Sequence, residues 1–160
     1  MRGERRGAPP PVPRRSGPRP TRGTSADLST ESTIPVRSDA DIVFARQKGR
    51  ELAATLGFGA TDLTLIATAI SELARNVVLY ARNGRIVLRG VERNGRRGIV
   101  VAACDDGPGI PDVAQALQAG YSTSGGLGLG LPGVRRLTDE FDIQSAAGRG
   151  TTVTVKKWLL

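Results

Sequence analysis

Leu63, Ile66, Ile70, Leu73 and Val77 are spaced 3, 4, 3 and 4 residues apart. That stepping places them on one side of a helix and demands a layer of structure to bury them. The spacing predicts a helix from Thr61 or Asp62, as cap, to about Tyr80 or Ala81. An earlier helix is expected from about Ala40 to Leu56, capped by Ser38 or Asp39 and stopped by Gly57, with Ile42, Val43, Ala45, Leu52, Ala53 and Leu56 buried. Short alternating segments supply the other layer. Thr33 to Arg37 reads as an edge strand, where Pro35 is tolerated. Arg85–Glu92 and Gly98–Cys104 flank Asn94-Gly95 and read as a hairpin with a loop longer than two residues. Phe141–Ser145, a turn at residues 148–150, and Thr152–Val155 form a second hairpin. Short helices are expected at Asp112–Ala119 and from Leu131 to Leu137 or Thr138. The fold class is α/β, a two-layer sandwich in which helices cover one face of a mixed, mostly antiparallel sheet.

The first 32 residues do not belong to this pattern. Residues 1 to 33 carry seven Arg against three acids, a balance of +4, and six of the ten prolines. With almost no large apolar side chains, such a stretch cannot offset its ordering entropy, so residues 1–32 are expected to be a disordered tail and residues 33–160 the folded domain. The tail lacks aromatic side chains to stack on bases, so no specific nucleic-acid role is expected. The longest uncharged run, Val113 to Val134, has 22 residues but contains six glycines and reads as loop. No membrane span and no secretory signal are expected, and the expected location is cytoplasmic. The chain has no His and a single Cys, Cys104. His-based nucleophile systems, His-ligated zinc, a phosphohistidine acceptor and an internal disulfide are thereby excluded.

Three segments carry chemistry. Asp105-Asp106-Gly107-Pro108-Gly109-Ile110 follows a buried-type strand, where spaced glycines allow a ligand close to the backbone and the acid accepts a hydrogen bond, for which an exocyclic amine is a suitable donor. Gly125 to Leu131 alternates Gly with Leu and leads into a helix, so freed backbone amides can meet an anion. It is neither a Walker loop nor a Rossmann fingerprint. Because no Lys or Arg lies between Arg97 and Arg135, phosphates held there need amides and a divalent cation for charge compensation. Asn76 offers a side-chain carbonyl to Mg²⁺, and Glu72, one turn earlier on the same face, can accept a proton from an attacking hydroxyl. Each segment alone has an ordinary alternative, namely an acidic turn, a glycine-rich loop or a solvent-facing helical pair. Their order along the chain distinguishes them from chance.

Ser71-Glu72-Leu73-Ala74-Arg75-Asn76, Asp105-x-Gly107-x-Gly109, the glycine run and Gly150-Thr151 resemble the N box, G1 box, lid with G2 box, and final strand of the GHKL (Bergerat-fold) ATPases. Ala69–Asn76, Gly120–Val134, Asp139-Glu140-Phe141 and the Thr-Val-Thr-Val-Lys-Lys-Trp-Leu ending resemble the RsbT-type stressosome switch serine/threonine kinases most closely. The resemblance implies a kinase that binds Mg-ATP and phosphorylates STAS-domain antagonist and scaffold proteins. Once released, such a kinase binds and activates a PP2C-type phosphatase regulator. By position it implies Glu72 as base, Asn76 as Mg²⁺ ligand, and Asp105 as adenine partner assisted by Thr151. Gly107, Gly109 and Ile110 would form the adenine-side turn, and Gly126, Leu127, Gly128, Leu129 and Gly130 the phosphate lid. The alternatives are an anti-sigma-factor kinase that binds a sigma factor directly, a nucleotide-gated binding module without transfer activity, and a detached histidine-kinase ATPase half.

Overall fold

The computed structural model describes residues 28, 30–118 and 130–160. Five strands, β1 (Glu31–Val36), β2 (Gly84–Arg93), β3 (Arg96–Asp105), β4 (Glu140–Ser145) and β5 (Thr151–Trp158), form one sheet in the order β1-β2-β3-β5-β4. The expected mixture resolves to one type, since every pairing is antiparallel. Helices α1 (Asp39–Leu56) and α2 (Ala60–Asn76) pack together and against the sheet, a π turn continues α2 over Val77–Ala81, and α3 (Val113–Ala116) and α4 (Gly130–Leu137) follow.

Local chemistry explains most boundaries. Asp41 Oδ2 accepts the backbone N–H of Arg37 (2.8 Å) and of Ser38 (3.2 Å), satisfying donors at the start of α1. Gly57 ends that helix in the left-handed region at φ 104°, where a Cβ is penalised. Asn94 and Gly95, at φ 53° and 79°, make a two-residue turn between β2 and β3, shorter than the sequence suggested. Both residues tolerate positive φ, and such a turn matches the twist of the flanking strands.

Other expectations need correction. Gly59, not Thr61 or Asp62, occupies the cap position of α2. β1 starts at Glu31, not Thr33, because its pairing with β2 runs on to Arg89, and Leu28 packs against the core. The remainder of the Arg/Pro-rich tail lies outside the described residues. Val43 was expected to be buried but is half-exposed, because the buried edge of α1 runs through Ile42, Ala45, Gly49, Ala53 and Leu56. Gly49 belongs to that edge for a steric reason: a Cβ there would lie 2.0 Å from Ile70 Cδ1.

The core lies between helices and sheet, with Val36, Ile70, Leu73, Ile86, Leu88, Ile99 and Val134 its largest fully buried side chains. All five stripe residues of α2 and its π turn take part, four of them buried and Leu63 half-buried at the edge. The 22 residues from Ala60 to Ala81 are long and apolar enough to span a bilayer by length and composition. Their apolar face is spent here on the protein's own core.

At the far end of the sheet from the α2 C-terminus, Trp158 forms a corner. Glu140 accepts the Trp158 indole N–H and a 3.2 Å bond from Arg93, whose guanidinium stacks 4.7 Å over the indole ring. The indole hydrogen bond, followed by the Arg93 and Lys156 charges, holds the Glu140 carboxyl below its ordinary value against an opposing desolvation effect. A depressed folded-state value means this contribution is present above the unfolded pKa and is lost as pH falls through the folded one. Trp158 is the only tryptophan. Its fluorescence should therefore shift on acidification below the usual carboxylate range, before global unfolding, and Glu140→Gln should remove that early step.

Candidate functional site: a nucleotide-sized cleft

A cavity of about 270 Å³ opens between the C-terminal end of α2 with its π turn, the ends of β3 and β5, the 106–111 loop, α3 and the start of α4. Its walls are mostly apolar, including Leu73, Val77, Ala103, Ile110, Leu131 and Val153, and its polar groups are few: Asn76, Tyr80, Asp105 and Thr151. An apolar pocket with a few convergent polar groups suits a planar base with a polar edge.

Six expected site residues meet here: Asn76, Asp105, Gly109, Ile110, Gly130 and Thr151 all line the cavity. Gly107 does not line the cavity, but it donates its backbone N–H to Asp105 Oδ1 at 2.9 Å, which fixes the carboxylate. Glu72 does not line the cavity; it sits one helical turn before Asn76 and is 4 % exposed. The solvent-facing alternative for that residue is thereby removed. No ion pair involves Glu72 among the described residues. Gly126, Leu127, Gly128 and Leu129, expected to form the lid, lie outside the described residues.

The 106–111 loop is held by the β4–β5 connection. Gly148 N–H donates to Pro108 O (2.8 Å), and Ile110 N–H donates to Ser145 Oγ (2.7 Å). Gly109 has φ 76°, and a Cβ on it would lie 2.0 Å from Ala146 O; only glycine allows the loop to press so closely. Gly150, at φ 75°, would clash likewise with Asp105 O at 2.1 Å. Asp105 and Thr151 are direct cross-strand partners in the β3–β5 register, so their side chains stand side by side on one face.

A site for a divalent ion can be judged from its donors. No group of three or more Asp, Glu, Cys or His side chains occurs among the described residues. Asn76 supplies one neutral oxygen at the cavity wall. That set fits Mg²⁺, which retains several waters and takes its remaining oxygens from substrate phosphates.

Sequence reasoning missed several lining residues. Ala103 and Val153 are two residues from Asp105 and Thr151, so strand alternation places them on the same face. Tyr80 reaches the cavity through the π turn, and helical periodicity gave no signal for that turn. Such insertions occur frequently at functional sites.

Comparison with known proteins agrees with this geometry. Residues 61–159 match the family described as histidine kinase-, DNA gyrase B-, and HSP90-like ATPase. The chain is 51 % identical over 132 residues to the serine/threonine-protein kinase RsbT of Bacillus subtilis (strain 168), covering 82 % of this chain and 99 % of that protein. It is 30 % identical over 122 residues to an anti-sigma F factor of Caldanaerobacter subterraneus subsp. tengcongensis, covering 72 % and 84 %. Among solved structures, that of the RsbU and RsbW domains of Rv1364c from Mycobacterium tuberculosis aligns with a TM-score of 0.56 at 24 % identity, over 81 % of this chain and 32 % of that one, and so shares the fold. The chain belongs to the histidine kinase-, DNA gyrase B- and HSP90-like (GHKL) ATPase family and is an ATP-binding protein kinase within it.

Proposed function

We propose that this chain is a cytoplasmic, Mg-ATP-dependent serine/threonine kinase of a partner-switching pathway. Its substrates are STAS-domain antagonist and scaffold proteins, and after release from them it binds and activates a PP2C-type phosphatase regulator. The observation that carries the reading is the convergence of Asn76, Asp105 and Thr151 on one apolar cleft, with Glu72 a turn away. The likeness to RsbT along nearly that protein's whole length supports a Ser or Thr hydroxyl as the acceptor.

In this reading Asp105 and Thr151 orient the adenine from the sheet, while Ile110 and Leu131 cover its faces. Gly130 opens α4 at the cavity wall, and the glycine-rich segment before it would supply backbone amides to the phosphates. A Mg²⁺ ion bound with the triphosphate, with Asn76 Oδ1 among its ligands, would supply charge neutralisation. Glu72 takes the proton of the acceptor hydroxyl as its oxygen bonds to the γ-phosphorus and the bond from that phosphorus to the β–γ bridging oxygen breaks, leaving ADP. Phosphoryl transfer depends chiefly on positioning and charge stabilisation, so this small set of groups is enough.

The test is transfer of label from γ-³²P-ATP to a purified STAS-domain protein. Labelling of a Ser or Thr on that protein, absent with Asn76→Ala, is the expected result; no label under saturating Mg-ATP would leave only nucleotide-gated binding. The anti-sigma F factor relatives favour one second reading, direct binding of a sigma factor. Retention of a sigma factor, but not of a PP2C regulator, on the immobilised chain would establish that second reading instead.

A further inference from the structure

The geometry points to Ser145 as the residue that sets the hydrogen-bond polarity of Thr151 and so makes the cleft selective for a 6-amino purine over a 6-oxo purine. This rests on the reading of Asp105 and Thr151 as the base-binding pair.

Ser145 ends β4 behind the cleft wall, and its hydroxyl meets three groups at once. It accepts from Ile110 N–H at 2.7 Å, contacts Gly150 O at 3.1 Å, and lies 2.7 Å from Thr151 Oγ1. A serine hydroxyl has one proton and two lone pairs. The backbone amide fills one lone pair. We assign the serine proton to the Gly150 carbonyl, which can only accept. That assignment leaves the second lone pair for the Thr151 proton, so that Thr151 donates toward Ser145. Its own lone pairs remain for the cleft, which Thr151 lines.

Asp105, directly opposite in the register, has Oδ1 engaged by Gly107 N–H. The base edge therefore meets two neighbouring oxygens, both acceptors. An exocyclic amine brings two N–H donors to such a pair. A 6-carbonyl would set acceptor against acceptor, and sites built on buried hydrogen-bonding groups reject mismatched partners strongly. The sequence contained no sign of this role, because the partners of Ser145 lie 35, 5 and 6 residues away and meet only when the 106–111 loop docks on the β4–β5 turn.

The experiment measures Kd for ATP, ITP and the triphosphate of purine riboside, which has hydrogen at position 6. The proteins are the wild type, Ser145→Ala, Ser145→Thr, Thr151→Val, the Ser145→Ala/Thr151→Val double variant and Asp105→Asn. Ser145→Ala should narrow the ITP-to-ATP ratio by about tenfold, the scale of one hydrogen bond. Ser145→Thr, which keeps the hydroxyl, should restore the ratio. In the Thr151→Val background, Ser145→Ala should leave the ratio where Thr151→Val alone puts it. Equal weakening of all three nucleotides by Ser145→Ala would assign the residue to loop support alone and overturn the inference, as would an unchanged ratio. Asp105→Asn separates the two layers of the proposal: if it leaves ATP affinity at the wild-type value, the base-binding reading itself fails, whereas strong loss there with an intact ratio in Ser145→Ala defeats only the role of Ser145.

Discussion

Asn76→Ala should lower kcat/KM for the protein substrate by at least about a hundredfold while the fold survives. The size of the effect follows from charge. Between Arg97 and Arg135 the chain has no basic side chain, so in the proposed mechanism a bound triphosphate would depend on amides and a metal ion for compensation, and Asn76, which lines the cleft, is the proposed metal ligand. Losing an interaction that orients a metal-bound substrate typically costs one to two orders of magnitude or more. Asn76 is half-exposed at the last position of α2 and is no part of the apolar core, so its removal should leave the thermal midpoint almost unchanged. Nucleotide binding by titration calorimetry, beside the transfer rate, checks the claim. Wild-type transfer by Asn76→Ala would remove the residue from the site.

Glu72→Gln acts differently: it should lower kcat by about 10²–10⁴-fold, the range for a positioned general base, and leave the Kd for ATP within about threefold. The substitution keeps shape and hydrogen-bonding capacity, so the 4 % exposed position remains filled. What disappears is the ability to take a proton. Single-turnover transfer under saturating Mg-ATP is the measurement that separates chemistry from binding. If transfer and nucleotide affinity fell by the same factor, Glu72 would be supporting the site and not accepting a proton.

The sequence and the structure agree where one physical cause dominates. The 3-4-3-4 apolar stripe of α2 was readable because only one helical register buries it, and the Gly57 stop because the chain there must turn left-handed. The Asp105 and Gly150-Thr151 segments, singled out together in the sequence, are made neighbours by the antiparallel β3–β5 register. Disagreement arises where packing between distant segments decides. Val43 is apolar yet exposed, since α1 meets α2 so closely at Gly49 that the contact sets which edge is buried. Glu72 lies off the stripe and looks like a surface residue in sequence, but α4 also packs against α2 and widens its covered face. The π turn shifts Tyr80 to the cleft without changing the apolar character of the segment, so composition holds no record of it.

The central claim is spatial: the amide of Asn76, the carboxylates of Glu72 and Asp105, and the hydroxyl of Thr151 address one Mg-nucleotide. A crystal structure grown with Mg²⁺ and a non-hydrolysable ATP analogue tests it most directly. It should show the 6-amino group against Asp105 and Thr151, and Asn76 Oδ1 on the metal. Glu72 should stand on the γ-phosphate side with room for an incoming hydroxyl. A nucleotide bound elsewhere, or seated in the cleft with its phosphates directed away from Asn76 and Glu72, would contradict the account.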